Sequence, residues 1–502
     1  MAVLEEPFKG IRTVKNFIGG EWVESKGELV DIINPANQKV IGKVPMSTKD
    51  ELNAAVDAAR EAFPSWRRTP PLSRVRVLFR LKELMEEHFE ELSRIQTVEH
   101  GKTIDESRGE TRRGIENVEV ATGIPSLMMG YNLEDISAGI DEYVINQPVG
   151  VFGIIPPFNF PFMVPLWFIP YAIATGNTVV LKPSPEDPTS QVKVAELAEE
   201  AGLPPGVLNL VHGGADVANA MLEHKDIQGI GFVGSTRVGR DIVYRKGGET
   251  GKRIIAGTSA KNAVLLMPDI PLDKVIPTLL SSFFGNTGQR CLAGANLIVV
   301  GEGLSERAHE EFYTKVVDQF VSSASTIKVG YGLDESVQMG PLRDKGKKAR
   351  VVSFIEKGIE EGSKLKLDGR KVKLVSDLPH DAFLNPTVFS DGSVDTTIGR
   401  EEIFGPVANI VRAGTLNDAI DMIERSPYGN ASSIFTNNGG WAREVQYRVT
   451  AGNIGVNIAI PAPIAMFPFG GKKASFFGTL HPQGRDAIRF FTDTKVVIQR
   501  WM

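Results

Sequence analysis

"VGVFGIIPPFNFPFMVPLWFIPYAIATGNTVVL", residues 149–181, contains no charged side chain and is long enough to cross a bilayer. Its prolines, Pro156, Pro157, Pro161, Pro165 and Pro170, argue against a span. Each would remove a hydrogen bond from a membrane helix and leave backbone groups unpaired in lipid. The stretch reads without conflict as a buried strand (VGVFGII), a proline-rich turn, a helix closing on Gly176 and a second strand (NTVVLKPS). Downstream, "SQVKVAELAEEAG" has apolar residues at helical spacing, "GVLNLVHG" and "IQGIGFVGS" read as strands, and "ADVANAMLEHK" is the helix between them. A βαβαβαβ series of this kind builds a doubly wound nucleotide-binding domain.

A second α/β unit follows over about 258–460, with "NAVLLMP", "ANLIVVG", "PTVFSD" and "NIVRAG" as its strands. The segments "LEDISAGIDEYVINQPVG" and "RFFTDTKVVIQRWM" read as strands outside both units, and unpaired edges of that sort point to contact with a neighbouring subunit. The chain has 502 residues, 42% hydrophobic and 23% charged, enough for more than one core. A net charge of -5 with no basic stripe argues against nucleic acid as a partner. The start, "MAVLEEPFKGIRTVKNF", lacks the basic flank and apolar run of a signal peptide, and the chain's one cysteine excludes an internal disulfide, so a cytoplasmic protein is expected.

That cysteine, Cys291, lies in "FFGNTGQRCLAG". An inert core thiol is the plain alternative, but a loop of glycines and amides beside Arg290 suits a nucleophile whose ionisation a neighbouring guanidinium favours. Asn159 in "PPFNFP" is an amide within the most apolar part of the chain, so it either caps a turn or serves a ligand oxygen. Glu402 in "REEIFGPV" stands beside apolar residues, where a helix-cap or surface role is equally open. In "GFVGSTRVGR", Gly234, Ser235, Thr236 and Gly239 follow a strand and open a helix, which suits a pyrophosphate but also an ordinary tight turn.

Taken together, "PFNFP", "TGNTVVLKPS", "FVGSTRVG", "FFGNTGQRC", "EEIFGPV" and "FPFGGKKASFFG" resemble the aldehyde dehydrogenase superfamily, in order, across nearly the whole chain. "GIENVEVATGIPSLMMG", "AKNAVLLMPD" and "FGTLHPQGRDAIRFFTDTKVVIQRW" are similar to the branch of methylmalonate-semialdehyde dehydrogenases, which acylate coenzyme A. The resemblance implies an α/β architecture in three parts. These are a Rossmann-type dinucleotide-binding domain (1–129 and 149–257), a catalytic domain (258–460) and a β oligomerisation arm (130–148 and 478–502), in a homodimer or homotetramer. It implies attack by Cys291 on the aldehyde carbon and oxyanion stabilisation by Asn159 and the Cys291 N–H. For the cofactor it implies Lys182 at the adenosine ribose, Ser184 as a further cofactor contact, Gly234, Ser235 and Gly239 near the pyrophosphate, and Glu402 with Phe404 at the nicotinamide ribose. Arg113 and Arg290 would fork a substrate carboxylate, and no metal is implied.

The chain departs from the wider superfamily twice. Gly257 in "IIAGTSAKN" replaces the glutamate that activates water, which favours release to coenzyme A by thiolysis. Pro185 replaces the glutamate that binds the ribose hydroxyls, so NAD is expected with NADP open, Glu186 one residue later being able to substitute after a small backbone shift. The expected reaction is oxidation of malonate or methylmalonate semialdehyde through a cysteine thioester, with decarboxylation and transfer to coenzyme A. One rival is a dehydrogenase of another small aldehyde, such as glyceraldehyde, that releases a free acid. The other is a catalytically silent dinucleotide-binding partner.

Overall fold

In the computed structural model, which describes residues 3–502, the uncharged stretch resolves into the parts its prolines require. Strand Val151–Ile155 leads through the proline turn into two short helices, Met163–Leu166 and Ile169–Thr175, and then into strand Thr178–Leu181. Pro170 sits in the first turn of the second helix, where its missing N–H costs nothing. Gly176 ends that helix with φ 98°, and the Arg74 guanidinium occupies the space a Cβ there would need. The freed carbonyls of the helix end are taken by Trp66 Nε1 on Ile173 (3.1 Å) and Arg74 Nε on Ala174 (2.9 Å). No helix among the described residues is long and apolar enough to cross a membrane.

The two strands belong to an eight-stranded sheet whose parallel centre runs Arg253–Gly257, Ile227–Val233, Val151–Ile155, Thr178–Leu181, Leu208–Leu210. Counted along the chain this order is 5-4-1-2-3, the doubly wound arrangement. Val151–Ile155 and Thr178–Leu181 are buried throughout because helices cover both faces, so their sequences run apolar without alternation. Phe476–Phe477 closes one edge antiparallel, and Asn16–Ile18 with Glu21–Val23 closes the other.

The second sheet runs Lys364–Leu367, Thr387–Gly392, Val407–Ala413, Gly294–Val300, Asn262–Leu266, Ala431–Phe435, Asn453–Val456. It contains all four strands expected from sequence and three more. The outlying segments form a separate antiparallel sheet of Asn132–Ser137, Ile140–Pro148 and Thr492–Arg500, paired from Thr492 opposite Pro148 to Arg500 opposite Ile140. Leu133, Val496 and Ile498 are exposed on it. The helix before its last strand, Gly484–Phe490, instead buries Ala487, Ile488 and Phe490 in the core of the first unit.

The segment leaving Thr178–Leu181 toward the cofactor crevice is fixed from outside its own unit of secondary structure. Glu99, near the end of helix Phe89–His100, accepts from the Thr189 N–H (2.9 Å) and the Thr189 hydroxyl at the opening of helix Thr189–Glu200. Burial pushes Glu99 up to about 7, against the pull of the Thr189 bonds and the Arg343 charge. A carboxyl whose folded pKa lies above its unfolded value stabilises fully at low pH, and that contribution is lost as pH rises through about 7. Glu99→Gln is therefore expected to flatten the decline of Tm between about pH 4.5 and 7. Thermal melts across that range check it, and an unchanged decline contradicts it.

Candidate active site

Helix Leu272–Phe284 delivers the cysteine loop through a tight turn, Gly285–Gly288, in which Asn286 (φ 49°), Thr287 (φ 55°) and Gly288 (φ 69°) are all left-handed. For the two non-glycine residues this conformation costs roughly 1–3 kcal/mol each and needs external restraint. The restraints are present. The Asn286 N–H donates to the Glu106 carboxylate, Thr287 Oγ1 donates to the Gly340 carbonyl (2.9 Å), and a Cβ at Gly288 would strike the Gly405 carbonyl.

Cys291 is half-buried, and its carbonyl accepts from Asn262 Nδ2 (2.9 Å) and Asn430 Nδ2 (2.7 Å). Burial, then the nearby Glu402 carboxylate, push the thiol up to about 12. Its own N–H, the Leu292 N–H and Asn430 oppose that rise. The expectation that Arg290 draws the thiol toward ionisation is not met. The guanidinium is spent on Glu106 (3.0 Å) and on the Ser281 carbonyl (3.4 Å).

Asn159 is 5% exposed and donates from Nδ2 to the Gln289 carbonyl at 2.9 Å, which ties its amide to the cysteine loop and leaves its second N–H for another acceptor. Its own carbonyl accepts from Lys102 Nζ (2.7 Å). Lys102 is ion-paired with Glu110, both side chains wholly buried, and stands 4.5 Å from the centre of the Phe160 ring. Glu110 in turn accepts from the N–H groups of Phe162 (2.9 Å) and Met163 (3.1 Å).

A cavity of about 420 Å³ is lined by Cys291, Arg290, Arg113, Phe160, Trp167 and Phe469, so thiol and arginines share one space. Arg113 reaches it from helix Ile104–Ala121, donating to the carbonyls of Ala462 (3.0 Å) and Pro463 (3.2 Å) and pairing with Glu116 (3.3 Å). Of the other acids in the wall, Glu106 is fully engaged by Thr103, Asn286 and Arg290. At Gly257 a Cβ would meet only the Val233 methyls, the nearest at 3.5 Å, so a side chain would fit where there is none.

Of the expected cofactor residues, Lys182, Ser184, Gly234, Ser235 and Gly239 follow the carboxyl ends of parallel strands of the first sheet, whereas Glu402 and Phe404 come from the loop before strand Val407–Ala413 of the second. Lys182 Nζ donates to the carbonyls of Pro183 and Gly213 (2.9 Å each), which leaves one of its three protons for a ligand; burial lowers it to about 8. Ser184 Oγ accepts from the Glu186 N–H (3.2 Å). Across strand Val151–Ile155, the Gly234 N–H is fixed to the Gly257 carbonyl (3.0 Å) and Ser235 caps the following helix. A Cβ at Gly239 would run into the Thr258 methyl. Glu402 is neither a helix cap nor a surface group, since it accepts from the Ala260 N–H at 2.7 Å. Phe404, at φ 57°, packs edge-on to Phe158 with ring centres 5.9 Å apart. A lysine with a free ammonium proton after one strand and a glycine-serine turn after another, with the central strand between them, fit a dinucleotide in donor chemistry. Glu186 is not available as a substitute for the missing ribose glutamate: Lys347 Nζ holds both its oxygens at 2.9 and 2.8 Å.

Residues 22–497 match the aldehyde dehydrogenase family. The chain belongs to that family. It is 46% identical to malonate-semialdehyde dehydrogenase 2 of Geobacillus kaustophilus HTA426 over 98% of this chain and 99% of the relative, and 44% identical to malonate-semialdehyde dehydrogenase of Bacillus subtilis 168 over 98% of each. Among solved structures it is similar to the methylmalonate-semialdehyde dehydrogenase of Oceanimonas doudoroffii, with TM-score 0.94, 39% identity and 98% and 99% of the two chains covered. A protein assigned as methylmalonate-semialdehyde dehydrogenase from Sinorhizobium meliloti 1021, solved with NAD, gives TM-score 0.94 at 39% identity over 98% of each chain.

Sequence reasoning had passed over the supports of this aldehyde dehydrogenase site: Lys102, Glu106, Glu110, Asn262 and Asn430. A signal existed only for Glu106, which completes a Thr103–Glu106 capping box. Removing one member of the buried pair tests the support directly. Lys102→Met leaves Glu110 without its cation and is expected to cost about 3–5 kcal/mol of stability. Denaturant unfolding measures the loss, which adding Glu110→Gln should partly restore; a loss below about 1 kcal/mol contradicts the role given to the pair.

Proposed function

We propose that this aldehyde dehydrogenase oxidises malonate or methylmalonate semialdehyde and passes the acyl group to coenzyme A. The observation that carries the reading is the single cavity in which the Cys291 thiol faces Arg113 and Arg290, with glycine at 257. In this account the thiolate of Cys291 adds to the aldehyde carbon while the free Asn159 N–H and the Cys291 N–H hold the oxyanion. A bound nicotinamide supplies the hydride acceptor, and collapse of the adduct leaves an acyl thioester on Cys291. Lys182 and Ser184 at one end, Gly234, Ser235 and Gly239 at the phosphates, and Glu402 with Phe404 at the other end would hold the dinucleotide. Arg113 and Arg290 hold the distal carboxylate, Arg290 exchanging Glu106 for substrate. That carboxylate is β to the thioester carbonyl, so it can leave as carbon dioxide. The coenzyme A thiolate then attacks the thioester and expels the Cys291 thiolate, while water lacks a carboxylate at 257 to activate it.

The names of the relatives support the substrate, and the exposed apolar face of the three-stranded sheet supports assembly as a dimer or tetramer. The test is the rate of NADH formation from malonate semialdehyde with and without coenzyme A, with product identified. Coenzyme A-dependent turnover to acetyl-coenzyme A is expected, and an equal rate to free acid overturns the reading. Arg113→Lys should reduce kcat/KM for the semialdehyde by ~10-fold or more and leave propanal nearly unaffected, because only the fork is lost.

The oxidant is NAD, and NADP is accepted as well. No carboxylate stands at Pro185 and Glu186 is committed to Lys347, so a 2′-phosphate meets no fixed negative charge. NADP should therefore support turnover, and Pro185→Glu should lower its kcat/KM by ~10-fold or more relative to NAD. A wild-type enzyme inert with saturating NADP contradicts this.

A further inference from the structure

Between strand Thr178–Leu181 and helix Thr189–Glu200 the chain runs "KPSPEDP", residues 182–188, the loop that carries Lys182 and Ser184. Pro183, Pro185 and Pro188 have no N–H with which to anchor it. Among the described residues, the Glu186 carbonyl is the only backbone group from Pro185 to Pro188 bonded to a distant segment, and its donor is the Arg343 guanidinium. The other terminal nitrogen of Arg343 donates to the carbonyl of Ile33 (3.1 Å), the last residue of strand Glu28–Ile33. The arginine side chain is only 6% exposed.

The base from which this side chain reaches is itself fixed. The Leu342 N–H donates to the Ala382 carbonyl (2.9 Å), and the Arg343 N–H donates to Gln289 Oε1 of the cysteine loop (3.3 Å). Four residues on, Lys347 holds the Glu186 carboxylate. One stretch thus grips Glu186 twice, by its carbonyl and by its side chain.

We propose that Arg343 is a positioning residue for the cofactor loop: by bridging the Glu186 and Ile33 carbonyls it pins residues 183–188 to the N-terminal sheet and presents Lys182 and Ser184 to the dinucleotide. It rests on the cofactor role proposed above for those two residues. A planar guanidinium can donate to two acceptors on different segments at once, whereas the ammonium of a lysine is a point charge on a flexible stem. Glu186 Oε2 lies 3.9 Å from Nε, so the carboxylate nearest this buried cation belongs to the loop it holds. Loss of the cation need not strand a bare carboxylate, because Glu186 keeps Lys347 and burial already pushes Asp187 well above the usual carboxylate range. Gln289 is met by the backbone of Arg343 and the two carbonyls by its side chain. Shortening the side chain therefore frees the cofactor loop and leaves the cysteine loop tied.

The experiment is calorimetric titration of the full-length protein with NAD, for wild type, Arg343→Ala, Arg343→Lys and Lys182→Met, together with kcat at saturating NAD and the rate of Cys291 alkylation by iodoacetamide without NAD. Arg343→Ala should weaken NAD binding by about 5-fold or more, as expected for the loss of two hydrogen bonds. Its kcat and its alkylation rate should stay within about 2-fold of wild type. Guanidinium chloride at about 20 mM, far below denaturing concentrations, should return most of the lost affinity to Arg343→Ala and leave wild type unchanged, while choline chloride at the same concentration should not. Arg343→Lys should remain about 3-fold or more weaker than wild type. Wild-type NAD affinity in Arg343→Ala would overturn the proposal, and so would a loss that guanidinium does not reverse and that extends to kcat and alkylation, the mark of general loosening. If Arg343→Ala does not fold, Arg343→Lys decides, and wild-type affinity in that variant overturns the proposal equally. Lys182→Met separates the proposal from the reading beneath it. If Lys182→Met binds NAD as wild type does, the cofactor role of the loop is refuted and the proposal falls with it; if Lys182→Met is weakened and Arg343→Ala is not, the proposal alone is refuted.

Discussion

The ion pair between Lys102 and Glu110 is the constraint on which the catalytic geometry rests. A lysine and a glutamate fully withdrawn from water are costly unless each finds every partner it needs. Here the ammonium is divided among Glu110, the Asn159 carbonyl and the Phe160 ring, and the carboxylate also takes the amides of Phe162 and Met163. Those contacts fix residues 159–163, the end of the proline-rich turn and the first residue of helix Met163–Leu166. Asn159 is held from its backbone, which leaves its amide free to grip the cysteine loop through Gln289. Glu106, one turn earlier on the same helix as Glu110, restrains the left-handed Asn286 on the other side of that loop. Residues at the start of a single helix therefore restrain both the Asn159 segment and the cysteine loop.

The electrostatics of the site favour a resting thiol. Burial and the Glu402 charge keep Cys291 protonated, and the adjacent Arg290 is neutralised by Glu106 instead of serving the sulfur. Such a cysteine is protected from adventitious alkylation and oxidation until ligands rearrange the charges around it. The same logic holds for the substrate-binding role proposed for Arg290. An incoming anion would replace Glu106 as partner, so that no guanidinium is left buried and unpaired in either state.

Most of the fold was legible because its signals are local. Continuous apolar strands, helices closing on glycine and proline punctuation in residues 149–181 all report on neighbours in the chain. Cys291, Asn159 and Glu402 stood out in the sequence for a different reason: each is a polar or thiol side chain set among glycines or apolar residues. What escaped were the residues that act at a distance. Lys102 and Glu110 look like ordinary helix-terminal charges, and only the packing of helix Ile104–Ala121 against the proline turn buries them. Asn262 and Asn430 lie far apart in sequence and meet at the Cys291 carbonyl because their strands are neighbours in the second sheet. The ion pair of Arg290 with Glu106 likewise joins the two units, and a sequence reading that sees Arg290 beside Cys291 assigns its charge to the wrong partner.

The central claim is that Cys291 carries an acyl thioester which this site is built to form and unsuited to hydrolyse. Intact-protein mass spectrometry after mixing the enzyme with malonate semialdehyde and NAD, without coenzyme A, tests it most directly. The account predicts a covalent adduct that accumulates within one turnover, maps to the peptide bearing Cys291, carries an acetyl group after decarboxylation, and vanishes when coenzyme A is added. An enzyme that forms NADH over many turnovers with Cys291 unmodified throughout would contradict it.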